Sequence, residues 1–179
     1  MNPHWILHTA RLVLRPVSGS DLPHLCAIKA DPRVFAIMMG GVRTAEQAAV
    51  ELAEDIVGWG VNGFGIWTVR EHGNPIPVGM TGLERRPDGL GVALRFALWP
   101  EAQGRGLARE AAGAALRFGH DHARLVRIVA VARESNFASR MVLGGIGMSE
   151  CGSFVQQGWR MVTYESVAIP PGRPAGASR

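Results

Sequence analysis

A glycine-rich turn between a strand and a helix is the feature that most restricts how this chain can fold. The strand pattern of residues 92–99 ends at Pro100, and an alanine-rich helix follows the turn Gln103-Gly104-Arg105-Gly106. Glycines at a helix N terminus leave backbone N–H groups uncovered, and these groups carry the positive end of the helix dipole. Such an N terminus binds phosphate groups. The sequence therefore predicts a phosphate or pyrophosphate site at one strand-to-helix junction.

The rest of the chain alternates between strand-like and helical patterns. Strands are expected at residues 9–15, 64–70, 76–85, 90–99, 125–132, 149–156 and 159–169, and helices at residues 20–30, 44–58, 105–120 and 135–144. Turns rich in Gly, Asn, Asp and Pro join the second, third and fourth strands, which predicts an antiparallel meander. The long helix that follows predicts a crossover within a mixed sheet. The expected fold class is α/β (α+β), a mixed, mostly antiparallel sheet of about seven strands flanked by about four helices.

Helical spacing also predicts which side chains are buried. In the helix capped by Thr44 and Gln47, the apolar face is expected to carry Val50, Ala53, Ile56 and Val57. In the helix at residues 105–120, the residues expected to pack on the sheet are Leu107, Ala111, Ala114, Ala115 and Phe118.

Composition indicates an ordinary globular protein. The 179 residues are 47% hydrophobic and 19% charged, which predicts one domain at residues 1–169 and a disordered tail at residues 170–179. The net charge is +4, and the basic residues, almost all of them arginine, are scattered along the chain. We therefore expect no nucleic-acid partner. Cys26 and Cys151 lie outside any metal-ligand spacing, and no signal-like or membrane-spanning run is present. We therefore expect a cytoplasmic protein with reduced thiols, without a metal and without a membrane partner.

Four motifs in this order resemble the GNAT superfamily of acyl-CoA-dependent N-acetyltransferases. The most specific is Gln103-Gly104-Arg105-Gly106-Leu107-Ala108, which is similar to the signature Arg/Gln-x-x-Gly-x-Gly/Ala of that superfamily. Three further segments resemble the branch that acetylates ribosomal-protein N termini, including the ribosomal-protein alanine N-acetyltransferases. They are residues 9–16, residues 106–111, and Asn136-Phe137-Ala138-Ser139-Arg140 before a Gly-x-Gly-Met segment.

The resemblance implies a cleft in which two neighbouring strands splay apart and acetyl-CoA binds. The pantetheine arm would pair with backbone groups of Phe96, Leu98 and Trp99, as an added strand does. The pyrophosphate would lie on the amides of residues 104–109. The lack of Cβ atoms at the two glycines allows close approach, and the side chains of Arg105 and Arg109 would add charge-assisted contacts.

Acetyl transfer to an amine needs a neutral amine and a protonated leaving thiolate. Ser139 is the first candidate for the general acid, because it matches the serine of the Asn-x-x-Ser motif of the family; the alternative is that its hydroxyl only bonds to the backbone. Asn136 either contacts the pantetheine amide or simply caps its helix. No acidic residue lies on the strand at residues 92–99, so the candidate general base is Glu84 on the neighbouring strand, acting through a water. The alternative for Glu84 is a solvated hairpin residue paired with Arg85 or Arg86.

Three other groups of residues have both a functional and a structural interpretation. Arg95 either lines the acceptor pocket or pairs with a helix carboxylate. Trp59, Phe64 and Trp67 are expected in the core, although Trp59 or Phe64 could form a wall of the acceptor site. His120 and His122 have a metal-like spacing, but residues two apart on a helix do not face each other, so a solvated helix end is expected.

The function expected from these features is N-acetyl transfer from acetyl-CoA directly to a primary amine, without a metal. The acceptor would be a protein N terminus or a small-molecule amine, and the protein would be a monomer or a homodimer. The alternatives are a bulkier acyl-CoA as donor, or a catalytically silent acyl-CoA-binding module. A P-loop or Rossmann nucleotide site is disfavoured, because no Gly-Lys-Ser/Thr follows the glycines and antiparallel strands precede them.

Overall fold

A computed structural model describes residues 2–89 and 91–168 of the chain, and within them it has the mixed α/β fold that the sequence predicts. The strands are β1 (Leu7–His8), β2 (Leu12–Pro16), β3 (Ile66–Glu71), β4 (Pro77–Arg85), β5 (Val92–Leu98), β6 (Arg127–Arg133), β7 (Ser149–Gln156) and β8 (Trp159–Val167). The helices are α1 (Leu22–Ala30), α2 (Pro32–Phe35), α3 (Ala45–Asn62), α4 (Leu107–Asp121) and α5 (Phe137–Gly145).

All eight described strands belong to one sheet, in the order β1-β2-β3-β4-β5-β6-β8-β7. The predicted meander of β3, β4 and β5 is confirmed, since each strand pairs antiparallel with the next. The pair β5 and β6 is parallel, and α4 makes the crossover between them. The helix that follows the glycine turn therefore connects the two strands at the middle of the sheet.

The structure adds one strand and one helix to the predicted set. Strand β1 has only two residues, with Leu7 opposite Leu14, so it is too short to leave an alternating pattern in the sequence. The pair Asp31-Pro32 ends α1 as expected, and helix α2 begins at Pro32. The Asp31 carboxylate then accepts a hydrogen bond of 2.8 Å from the Arg33 amide and caps a new helical turn. The expected tail at residues 170–179 lies outside the described residues.

The core forms between the sheet and the inward faces of the helices. The predicted buried face of α4 is confirmed, with Leu107, Ala111 and Ala115 fully buried and Phe118 nearly so. Trp67 is completely buried and meets Trp59 and Phe118 edge-to-face, with ring centroids 4.7 and 5.2 Å apart. Trp59 and Phe64 are also buried, so they belong to the core and do not line the acceptor side of the cavity described below.

The predicted apolar face of α3 is wrong. Val50 and Val57 are 59% and 63% exposed, and Ala53 and Ile56 are exposed as well. The buried residues of α3 are instead Ala48, Leu52 and Trp59, which form a stripe on the other side of the helix. Trp59 determines this orientation, because its indole Nε1 donates a hydrogen bond of 2.9 Å to the carbonyl of Ile66 on β3.

The longest described helix is α3, with 18 residues. Within residues 2–89 and 91–168, neither it nor any other helix combines the length and the apolar composition that crossing a membrane requires.

Candidate active site

Strands β5 and β6 separate from each other after two residue pairs. Val92 lies opposite Ile128 and Ala93 opposite Val129, and no further pairing joins these two strands, although β4 pairs with β5 along its whole length. A cavity of about 490 Å³ opens at this splay. Its lining comes from the separated parts of β5 and β6, from α1 and α3 on one side, and from α5 on the other. The splay leaves an edge of β5 available to an extended ligand.

Alternation along β5 determines which backbone groups face this edge. The Trp99 amide donates to the Val78 carbonyl at 3.0 Å, so odd-numbered positions here point toward β4 and even-numbered positions point toward the cleft. Phe96 and Leu98 therefore have the orientation that pairing with a pantetheine arm requires. The Leu98 carbonyl already accepts a hydrogen bond of 2.9 Å from Gln103 Nε2, which leaves the Leu98 amide for such pairing.

Trp99 is a correction to the predicted pairing set. Its amide is bonded to Val78, and its carbonyl accepts a hydrogen bond of 2.9 Å from the Ala102 amide. Both backbone groups of Trp99 are thus used by the protein itself, because the chain turns away from β5 at Pro100.

The glycine turn has the geometry expected of an anion-binding helix N terminus. Gly104 and Gly106 have φ angles of +72° and +76°, a region that other residues enter only with strain. Helix α4 starts at Leu107 after Gly106, and no side chain caps it within the described chain. The first amides of α4, together with those of the turn, are therefore the groups that a phosphate would meet.

Two sequence motifs meet at this turn. The Glu110 carboxylate, in the first turn of α4, accepts hydrogen bonds from Thr9 Oγ1 at 2.6 Å, the Arg11 amide at 2.8 Å and Arg11 Nε at 2.7 Å. Arg11 Nη1 in turn donates to the Arg105 carbonyl at 2.8 Å. The segments at residues 9–16 and 106–111 therefore form a single network that holds the backbone of the glycine turn in place.

Replacing Glu110 with glutamine is expected to lower the free energy of unfolding by about 1.5–3 kcal/mol, because hydrogen bonds to a charged acceptor are lost. Burial acts to raise the pKa of Glu110, but the bonds from Thr9 and Arg11 outweigh burial and lower the pKa. A lowered pKa means that this stability is present above the ordinary pKa of a glutamate and is lost as pH falls below it. Denaturant titration at neutral and acidic pH measures both effects. Glu46→Gln is the matched control, since Glu46 is an exposed carboxylate in the first turn of α3.

The side chains of Arg105 and Arg109 have protein partners rather than a free orientation toward a ligand. Arg105 forms an ion pair with Glu71 at 2.6 Å, and Arg109 Nε donates to the Gly145 carbonyl at 3.0 Å. The predicted charge-assisted contacts to a pyrophosphate would need these side chains to leave those partners. In the structure they anchor the turn to β3 and to the end of α5.

Asn136 and Ser139 line the cavity from the start of α5. Asn136 Oδ1 accepts a hydrogen bond of 3.1 Å from the Ser139 amide, so Asn136 is the N-cap of α5, which was the structural alternative for this residue. Arg140 fixes the same helix by donating to the Tyr164 hydroxyl at 3.1 Å and to Glu150 at 2.9 Å. The Asn-x-x-Ser segment thus rests on a rigid helix start with Ser139 at the cavity wall.

Glu84 also lines the cavity, but its partner is not the one expected. Its carboxylate forms an ion pair of 2.5 Å with Arg95, whereas Arg85 Nε donates to Asn62 and Arg86 pairs with Asp88. The two residues meet because Gly82 lies opposite Arg95, so that Glu84 and Arg95 are diagonal neighbours on one face of the sheet. Arg95 therefore lines the pocket and pairs with a strand carboxylate, not with a helix carboxylate.

Asp55 is the cavity residue that the sequence reasoning missed. It is half-buried and belongs to the inward stripe of α3, three residues after Leu52 and four before Trp59. Burial raises the pKa of Asp55 to about 7, while Lys29 and Arg95 act to lower it and Glu84 and Glu51 act to raise it. The sequence contains a signal for it, namely an acidic residue at helical spacing from Leu52 and Trp59, but the predicted apolar face of α3 does not include that stripe.

A fixed ion-pair network borders Asp55 on one side. Lys29 is 97% buried (3% exposed), and its Nζ donates to Glu51 Oε2 at 2.6 Å, while Arg43 Nε donates to Glu51 Oε1 at 2.5 Å. Burial acts to raise the pKa of Glu51, but the bonds from Lys29 and Arg43 outweigh it and lower the pKa. Ile37, Met38 and Met39 form an apolar part of the wall. Among the described residues, no group of three or more His, Cys, Asp or Glu side chains is arranged to hold a metal ion.

Comparison with known proteins identifies the class to which this architecture belongs. The splayed parallel strands and the glycine-rich helix start are the two features that the resemblance to GNAT N-acetyltransferases implies. Residues 11–149 match the acetyltransferase (GNAT) domain family. The chain belongs to the GNAT acetyltransferase family.

Individual relatives agree with this assignment. The FsC-acetyl coenzyme A-N(2)-transacetylase of Aspergillus fumigatus is 26% identical over 97% of this chain and 74% of its own length. Among solved structures, an acetyltransferase from Agrobacterium tumefaciens superposes with a TM-score of 0.79 at 24% identity, covering 91% of this chain and 94% of the other. A ribosomal-protein-S5-alanine acetyltransferase from Vibrio fischeri superposes with a TM-score of 0.75 at 16% identity, covering 90% and 96%. These superpositions show that the chain shares the fold of these acetyltransferases, one of which is a ribosomal-protein alanine acetyltransferase.

Proposed function

We propose that this protein is an N-acetyltransferase that moves an acetyl group from acetyl-CoA directly to a primary amine. The observation that carries the proposal is the splay of β5 from β6 immediately before the uncapped glycine turn of α4. An extended ligand arm can pair with Phe96 and the Leu98 amide and place its pyrophosphate on the amides of residues 104–109. Gly104 is compatible with this fit, because its φ of +72° and its lack of a Cβ leave the backbone of the turn open to a ligand.

The proposed reaction takes place in the cavity beside this edge. The amine nitrogen forms a bond to the acetyl carbonyl carbon, and the C–S bond then breaks with its electron pair on sulfur. The ammonium loses one proton before attack. The nitrogen loses a second proton after attack, and the leaving thiolate takes up one proton to become the free thiol. Ser139 is the proposed donor to that sulfur, and binding both reactants in one cavity supplies much of the acceleration.

The acceptor is proposed to be a protein N terminus or a small-molecule amine, and the chain to act as a monomer or homodimer in the cytoplasm. Its cavity is lined by carboxylates, among them Glu54 and Asp55, and by cations, among them Lys29, Arg43 and Arg95, so charge alone does not select the acceptor. The two free thiols, Cys26 and Cys151, are compatible with a reducing compartment.

An acceptor screen tests the proposal. Purified protein is incubated with acetyl-CoA and N-terminal peptides, polyamines or amino acids, and free thiol and acetylated product are measured. We expect thiol release that depends on one class of amine. Tight acetyl-CoA binding without turnover on any amine would instead identify a silent binding module, and turnover only with longer acyl-CoA donors would identify a different acyltransferase.

Replacing Ser139 with alanine is expected to lower kcat by about a hundredfold, because the thiolate would leave without its proton donor. The KM for acetyl-CoA should change little, since the backbone contacts remain. Ser135→Ala is the matched control, because Ser135 is an exposed serine just before α5 that does not line the cavity. Equal kcat values for the two variants would remove Ser139 from the mechanism.

A further inference from the structure

Two carboxylates one helical turn apart on α3 have opposite environments. Glu51 is held by Lys29 and Arg43 at 2.6 and 2.5 Å. Asp55, four residues later, faces the same cavity, and no hydrogen bond or ion pair to its carboxylate is found in the described structure. When the surroundings of two neighbouring titratable groups push their pKa values apart, the two groups commonly take different acid–base roles.

The other carboxylates of the cavity do not have the properties of a proton acceptor. Glu51 is bound to two cations, Glu84 is bound to Arg95 at 2.5 Å, and Asp88 is paired with Arg86. Glu54 also lines the cavity, but its side chain is exposed to solvent. Asp55 alone is half-buried, lines the cavity and retains an unengaged carboxylate.

We propose that Asp55 is the general base that takes the first proton from the ammonium group of the acceptor. This inference rests on the proposed acetyl transfer. The carboxylate accepts one proton from R–NH3+, which leaves a neutral amine whose lone pair forms the C–N bond. The proton later passes to solvent, and the carboxylate is regenerated.

The surroundings of Asp55 suit this role. Burial is the main cause of the raised pKa of Asp55, which is about 7. Lys29 on α1 and Arg95 on β5 act in the opposite direction, and Glu84 on β4 and Glu51 on α3 add to the rise. A base with a pKa near the working pH is ionised often enough to react and basic enough to take a proton.

The decisive experiment compares Asp55→Asn with the wild-type protein on an amine that the acceptor screen has identified. The amide keeps the shape of the side chain but cannot accept the proton, so kcat at neutral pH should fall by about 10²- to 10⁴-fold. Wild-type kcat should rise as pH passes through about 7 and then level off, and the variant should lack this rise. Acetyl-CoA affinity, measured by calorimetry, should be unchanged. Asp121→Asn, at the exposed end of α4, is the matched control.

A stability measurement gives a second readout that does not depend on turnover. A raised pKa means that the folded protein holds this proton more tightly than the unfolded chain, so wild-type stability falls as pH rises toward and through about 7. Asp55→Asn should therefore gain melting temperature over the wild type at alkaline pH and much less at acidic pH.

The outcomes separate the two proposals. If Asp55→Asn keeps the wild-type kcat and its pH profile, Asp55 is not the base, although acetyl transfer stands. If the wild-type protein acetylates no amine at all, the proposed function itself fails. The assignment of Asp55 would also be overturned if the difference in melting temperature between Asp55→Asn and the wild type did not change with pH, because the carboxylate would then not be desolvated.

Discussion

Gly104→Ala is expected to weaken acetyl-CoA binding by about a hundredfold, which corresponds to about 3 kcal/mol. Gly104 has a φ of +72°, and the space around its missing Cβ is open. If the pyrophosphate binds the amides of this turn as proposed, a methyl group there and the strain of a positive φ would both disturb those amides. Hydrogen bonds from amides to a charged phosphate are worth about 1.5–3 kcal/mol each, so losing one or two accounts for the effect.

The control for this variant must carry the same backbone strain. Gly158, in the turn between β7 and β8, has a φ of +78° and equally open surroundings, but it lies far from α4 in the fold. Gly158→Ala should lose a similar amount of stability and retain full acetyl-CoA affinity. Calorimetric titration of both variants measures the affinity. If both bind equally well, the pyrophosphate does not lie on this turn.

Trp67→Ala should lower the free energy of unfolding by about 3–5 kcal/mol, the largest stability effect that we expect from a single side chain. Trp67 is fully buried between the rings of Trp59 and Phe118, and its Nε1 donates to the Trp5 carbonyl at 2.6 Å. Removing it leaves a cavity in the core and an unpaired carbonyl. Denaturant unfolding followed by circular dichroism measures the loss.

Trp159→Ala is the contrasting variant for Trp67. Trp159 is 49% exposed, and its main partner is the Arg133 guanidinium, 4.6 Å from the ring centroid. An exposed cation–π contact contributes about 0.5–1 kcal/mol, so this variant should unfold nearly as the wild type does. Equal losses in the two variants would contradict the placement of the core around Trp67.

The features that sequence predicted well are those determined by local geometry. The glycine turn, the Thr44–Gln47 capping box and the buried face of α4 depend on residues within one or two helical turns of each other. The buried face of α4 can be predicted without an alternative, because the small and apolar residues of the helix fall on one stripe. These features were enough to predict the fold class and the position of the glycine-rich start of α4.

The acceptor side depends on contacts between distant segments, which single-sequence patterns do not contain. Helix α3 carries two apolar stripes, one with Val50 and Val57 and the other with Leu52 and Trp59, and only packing against β3 decides between them. Because the sequence analysis predicts the stripe with Val50 and Val57 as the buried one, it does not identify Asp55 as a cavity residue. In the same way, the pairing of Glu84 with Arg95 follows from the register of β4 on β5, which the sequence does not specify.

The short pairing of β5 with β6 has a mechanical consequence. In the described structure two residue pairs form the seam between β5 and β6. This is as few as join the two-residue strand β1 to β2, and fewer than join the other neighbouring strands. A coenzyme arm that pairs along β5 would reinforce the seam as an additional strand. Amide hydrogen exchange at Phe96 and Leu98 should therefore slow when acetyl-CoA is added, while exchange in β3 stays the same. In this fold the cosubstrate would serve as a structural brace as well as a reactant.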